Sequence, residues 1–67
     1  MIAFEVHDMS CAHCVSTITR AVQEADPNAS VRVDLAAHRV EIEPARADAR
    51  AFAEAIAEAG YTPVAAA

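Results

Sequence analysis

The chain has no lysine and no tryptophan, one glycine, one tyrosine and only two cysteines among its 67 residues. Each scarcity excludes something. With no lysine, and with Lys plus Arg at 5 against Asp plus Glu at 10, the formal charge is −5. Phosphate backbones need a basic face, so nucleic acid is excluded as a partner, and anionic membrane surfaces are excluded on the same ground. An acidic chain is steered instead toward a basic patch on another protein. No apolar run approaches the length of a membrane span, which excludes membrane insertion. Two cysteines cannot build a disulfide framework. As a C-x-x-C pair they point to metal or redox chemistry in a reducing compartment. The opening Met1-Ile2-Ala3-Phe4-Glu5 lacks the basic and long apolar regions of an export signal, so the expected location is cytoplasmic. The length allows one domain, residues 1–67, with a thin core.

What is present is a clear change of period. Ile2, Phe4 and Val6 alternate with Ala3 and Glu5, which predicts a strand over 2–6. After a loop over 7–10, Val15, Ile18 and Val22 recur at helical spacing, with Ser16, Thr19, Arg20, Gln23 and Glu24 on the polar face. Ser10 is the expected N-cap, and Asp26-Pro27-Asn28 ends the helix near Ala25. Val31, Val33 and Leu35 predict a strand over 30–35. Val40 and Ile42 predict another over 39–43, and the short Ala36-Ala37-His38 connection makes the two a hairpin. Phe52 and Ile56, four apart in an alanine-rich stretch, predict a second helix over 47–59. Asp48 stands near its start and Gly60 just past its end. Tyr61 to Val64 form a short last strand, which Pro63 confines to a sheet edge or a strand end. Ala65 to Ala67 are expected to fray. Met9, Tyr61 and Val64 join the strand and helix residues as core candidates. The order βαββαβ predicts a ferredoxin-like two-layer sandwich: a four-stranded antiparallel sheet with both helices on one face.

The chemistry centres on Met9-Ser10-Cys11-Ala12-His13-Cys14, where the first strand gives way to the first helix. A helix N-terminus presents unpaired N–H groups and a partial positive charge, which favour thiolate over thiol. A depressed pKa is therefore expected for Cys11. Two soft thiolates at this spacing reach one ion together and select Cu(I), Zn(II) or thiophilic heavy metals. Cu(I) accepts two nearly collinear sulfurs. Structural zinc wants four ligands, so it would need His13, Asp8 or His7 as well, and a side chain at position 13 is expected to point away from the shared site. A dithiol redox catalyst is the competing reading, but thioredoxin-like motifs belong to a larger fold with a different strand order. Cys14 lies near the apolar stripe and could be a simple core filler; Cys11, in a polar loop, is harder to explain that way. Met9 is read as packing beneath the loop and not as a thioether ligand. Tyr61 falls in a loop that the topology brings close to the cysteines. His7 and His38 are read as solvated, and Arg50 and Glu54 as a weak i, i+4 pair on a solvent face.

The Met-x-Cys-x-x-Cys at Met9, Cys11 and Cys14, with the Gly60-Tyr61 pair after the second helix, resembles the heavy-metal-associated domain family. That family includes bacterial copper chaperones of the CopZ type and the N-terminal metal-binding domains of copper-transporting P-type ATPases. The resemblance covers nearly the whole chain. It implies that Cys11 and Cys14 bind one Cu(I), that Met9 buttresses the loop and that Tyr61 lies near the metal. The implied function is a non-enzymatic copper chaperone or buffer. The implied partner is the metal-binding domain of a copper-transporting P-type ATPase, or a copper-responsive regulator, reached by stepwise thiolate exchange. The protein would act as a monomer or as a metal-bridged dimer. Ag(I), Zn(II), Cd(II) and Hg(II) are the alternative ions. One departure stands out: many members carry glycine before the methionine, where this chain has Asp8. Its carboxylate is either an added oxygen ligand of the kind Zn(II) takes or a plain loop residue.

Overall fold

A computed structural model describes residues 1–66. Six elements follow one another: β1 (Ile2–Val6), α1 (Ala12–Ala25), β2 (Ser30–Asp34), β3 (Arg39–Glu43), α2 (Ala49–Glu58) and β4 (Pro63–Ala66). The strands form one antiparallel sheet in the order β2-β3-β1-β4. Each helix therefore carries the chain over an intervening strand, and the fold is the expected ferredoxin-like split βαβ arrangement.

The register explains the layering. Phe4 lies opposite Val40 and Ile2 opposite Ile42, while Val33 and Val31 oppose the same two β3 residues from the other side. Directly opposed residues share a face, so these side chains make one apolar surface across three strands. Helix α1 buries Cys14, Ile18 and Val22, and α2 buries Phe52 and Ile56. Those spacings of three and four put each set on one helical stripe. Phe52, Met9, Ile18, Ile42 and Ile56 are fully buried. Each such side chain contributes about 1.5–3 kcal/mol by leaving water.

The opposite sheet face is polar. Glu5 faces Arg39, Asp34 faces Arg39 and Arg32 faces Glu41 across the ladder, so opposed charges alternate in sign. Arg39 Nε donates to Glu41 Oε2 at 2.9 Å on that face. Val64 belongs to it as well. It pairs with Glu5 and is 47% exposed, so it is not a core residue as the sequence suggested. The expected fraying also fails for two alanines. Ala65 and Ala66 pair with Phe4 and Ala3 as part of β4. Alanine carries no hydrophobic pattern to announce a strand, and backbone pairing to β1 orders these residues all the same. Ala67 lies outside the described residues.

The ends of the helices decide where the loops go. The first helix starts one residue later than a Ser10 cap would have it: Cys11 is the N-cap, with extended backbone and no side-chain capping bond. At α2, Asp48 Oδ1 accepts from the Ala51 N–H at 3.0 Å, a standard cap. At its other end the Gly60 N–H donates to the Ala57 carbonyl (3.0 Å) and the Tyr61 N–H to the Ile56 carbonyl (3.3 Å). Both bonds define a Schellman motif, which needs a left-handed residue, and Gly60 has φ 100. A Cβ at Gly60 would meet nothing within 4 Å, so the requirement is on the backbone angle alone. The motif turns Tyr61 back toward the sheet, where it packs half-buried against the core.

Candidate metal centre

The loop between β1 and α1 is held from four sides. Within it, the Met9 N–H donates to the Val6 carbonyl at 3.2 Å, closing a turn over His7 and Asp8. The Met9 side chain is fully buried in the core, so the packing reading is correct and the sulfur is committed to the interior. From the β2–β3 turn, His38 Nδ1 lies 2.9 Å from the Met9 carbonyl oxygen, and the Val6 N–H donates to the His38 carbonyl at 2.7 Å. From the segment before β4, the Thr62 N–H donates to Asp8 Oδ1 at 3.2 Å. Asp8 thus links two loops.

This corrects the reading of His38 as a solvated residue. It closes the hairpin in the left-handed region at φ 53, and both its ring and its carbonyl brace the metal loop. A signal for it was present. Short hairpin connections often end on a residue at positive φ, and where no glycine is present histidine accepts that region better than most residues. His7 is exposed as expected, and His13 is exposed on the first turn of α1.

Cys11 at the N-cap and Cys14 three residues on bring their sulfurs within 3.3 Å of each other. Cys11 is exposed and Cys14 is 9% exposed, at the edge of the core. The pair is thus asymmetric: one sulfur sits in the wall and the other at the mouth. The lowered thiol is Cys14, brought from an ordinary 9.0 to about 6. Its largest cause is a hydrogen bond from the Tyr61 hydroxyl. Backbone N–H groups of Ser10 and Cys11 and the Cys11 thiol add to it, and burial opposes it. In return the hydrogen bond to Cys14, then burial and the charge on Cys14, push the Tyr61 hydroxyl upward, with Thr17 working the other way. The helix-end argument therefore applies to Cys14, with Tyr61 as the stronger partner. At neutral pH Cys14 is the thiolate, with the Cys11 sulfur within 3.3 Å of it.

Metal-binding sulfurs must be deprotonated, and Cys14 is already held as thiolate at neutral pH. A tetrahedral ion with ~2.3 Å metal–sulfur bonds holds two sulfurs about 3.8 Å apart, and collinear ligation at that length stretches them to about 4.6 Å. From 3.3 Å the pair has to open in either case. The exposed Cys11 can swing outward while Cys14 stays anchored. Among the described residues, no group of three or more His, Cys, Asp or Glu is placed to hold a metal ion. Asp8 and His13 are therefore not gathered with the cysteines as a four-ligand zinc site would require.

Tyr61→Phe is expected to raise the Cys14 pKa from about 6 toward 9.0. The pH dependence of alkylation, resolved by peptide mass spectrometry, reads the shift, and an unchanged midpoint would remove Tyr61 as the cause. The sign for stability follows. The folded thiol ionises more readily than the unfolded one. It therefore stabilises the fold fully above about pH 9 and loses that contribution as pH falls through about 6.

Residues 3–62 match the family model of the heavy-metal-associated domain. The chain belongs to the heavy-metal-associated domain family. A COP-associated protein of Helicobacter felis is 41% identical to this heavy-metal-associated domain over 61 residues, spanning 90% of this chain and 92% of that protein. Among solved structures, a gold binding protein superposes with a TM-score of 0.92 at 33% identity, covering 98% of this chain and 100% of its own. A variant of the copper chaperone Atx1 from Synechocystis PCC6803, in a trimeric form, superposes with a TM-score of 0.89 at 35% identity, over 94% and 98% of the two chains. The domain thus shares its backbone with a gold binding protein and with a copper chaperone.

Proposed function

We propose that this heavy-metal-associated domain is a cytoplasmic Cu(I) carrier. In this reading it holds one ion between Cys11 and Cys14 and gives it up by thiolate exchange. The observation that supports it is the asymmetric pair: an anchored Cys14 held as thiolate and an exposed Cys11 at 3.3 Å, with no third ligand gathered beside them among the described residues. Two thiolates satisfy a soft monovalent ion and leave Zn(II) short of its usual four ligands. An open, low-coordinate ion is also one that an incoming thiolate can reach. Exchange then proceeds by addition of a partner's thiolate to the ion, after which the exposed Cys11 is the first of the two ligands to leave. The copper-chaperone likeness supports the choice of ion.

The partner that suits this chemistry exposes a cysteine pair of its own. The metal-binding domain of a copper-transporting P-type ATPase or a copper-responsive regulator meets that need. The net charge of −5 favours a basic surface around the partner's cysteines. No catalytic role is assigned: the site offers a cysteine pair and a tyrosine, and transfer exchanges only metal–sulfur bonds, with no covalent change in a substrate. No described helix is long and apolar enough to cross a membrane.

Competition titrations test the choice of ion. The reduced apo-protein is set against a chromophoric Cu(I) chelator without oxygen and, in parallel, against a Zn(II) chelator. Capture of one equivalent of Cu(I) with easily displaced Zn(II) is the expected result. Retention of Zn(II) over Cu(I), lost on Asp8→Gly, would overturn it and make the residue before Met9 the selector of a divalent ion.

A further inference from the structure

We propose that His7 and His38 form a second metal site, built of imidazole and selective for borderline divalent cations such as Ni(II), Zn(II) and Cu(II). His38 is already set up as a ligand. A carbonyl oxygen only accepts hydrogen bonds, so at 2.9 Å from Met9 O the Nδ1 atom must carry the proton. In the neutral ring, Nε2 is then left with its lone pair free. One ring nitrogen fixed to a carbonyl and the other open is the arrangement that orients histidine ligands in metal sites.

The His7 ring stands beside it, with centroids 6.0 Å apart and planes inclined by 38°. Two imidazoles on one ion, each bonded at ~2.0–2.1 Å, have centroids roughly 4.5–5.5 Å apart. The rings are thus within about 1 Å of a chelating separation on that geometry. His7 can supply the movement, since its side chain is 71% exposed and its contact with Glu5 Oε2 is long at 3.9 Å. Because no group of three such residues is preassembled among those described, the site is a two-nitrogen chelate completed by water. That composition sets the class of ion. Imidazole and water suit divalent nickel, zinc and copper, whereas the thiolate pair suits the softer monovalent ion. The two sites would sort metals by softness on either side of one loop, with the Met9 carbonyl as their link.

The test uses the full chain with Cys11→Ser and Cys14→Ser, so that its outcome does not depend on the thiolate reading. Should serine at the buried position 14 unfold the chain, alanine there serves instead. Ni(II) is titrated while proton spectra of the three imidazoles are followed, and Zn(II) binding is measured by calorimetry. Selective broadening of His7 and His38 with His13 unaffected, one Zn(II) bound, and at least about tenfold weaker binding in His7→Ala are expected. Equal broadening of all three rings, or His7→Ala binding as tightly as its parent, would overturn the site.

Discussion

Cys11→Ser and Cys14→Ser are each expected to abolish tight one-to-one Cu(I) binding. The loss should exceed the roughly hundredfold that removal of a supporting group costs at a metal site, because a ligand itself is removed. A serine hydroxyl is a hard oxygen that stays protonated at neutral pH, so a soft ion is left on one sulfur. The two variants should differ in a second respect. Cys11 is exposed, and its replacement should leave the fold untouched. Cys14 lies against the core and carries the hydrogen bond from Tyr61, so its replacement disturbs both. Anaerobic competition against a Cu(I) chelator reads the affinity, and circular dichroism reads the fold. Met9→Leu is the contrast. Its side chain is fully buried, and a volume-conserving swap should cost under about 1.5 kcal/mol while Cu(I) binding persists. A folded Met9→Leu chain that no longer holds Cu(I) would make the thioether a ligand after all.

Asp26→Ala is expected to give the largest loss of stability among single polar changes. Asp26 is 1% exposed at the C-cap of α1. Its Oδ2 accepts three backbone N–H groups, from Ala45 (2.9 Å), Arg46 (2.7 Å) and Ala47 (3.0 Å), in the segment that leads into α2. One carboxylate thus fastens the end of the first helix to the approach of the second. Alanine would leave three donors without that acceptor, and charge-assisted bonds of this kind are among the stronger ones. A fall in the thermal midpoint of roughly 10 °C or more is expected for a domain of this size. Asp26→Asn, which keeps a neutral oxygen acceptor, should fall between the two. The pH dependence gives a second readout. The Ala47, Arg46 and Ala45 N–H groups hold the carboxyl below its usual value, with burial opposing them. Its stabilisation is therefore complete above the ordinary carboxylate range and is lost as pH falls through the lower folded value. The wild type should lose stability there more steeply than Asp26→Ala. An alanine variant with a wild-type midpoint would show that water satisfies the 45–47 backbone equally well.

Much of this was legible in the chain. The alternation at Ile2, Phe4 and Val6 and at Val40 and Ile42 reported strands whose inward faces are buried, because a period of two leaves no other solution. Asp48 and Gly60 marked the ends of α2 because capping chemistry is local. Val64 was misplaced because a four-residue edge strand is too short for its phase to be read; only the pairing of Glu5 with Val64 fixes which way it faces. Asp26 was read as a helix stop and nothing more, since its partners lie about twenty residues on.

By itself, the sequence determined the order of elements, the family pattern and the two cysteines at the head of α1. All of these follow from local periodicity and spacing. Tertiary structure alone decided how the cysteines differ. Tyr61 meets Cys14 only when the Schellman turn and the β1–β4 pairing bring the far end of the chain over the loop, and that meeting makes Cys14 the lowered thiol. His38 and Asp8 brace the loop for the same reason, across 29 and 54 residues of chain. A pKa or a brace depends on which groups end up within hydrogen-bond reach, and chain closure, not the pattern of neighbouring residues, sets that.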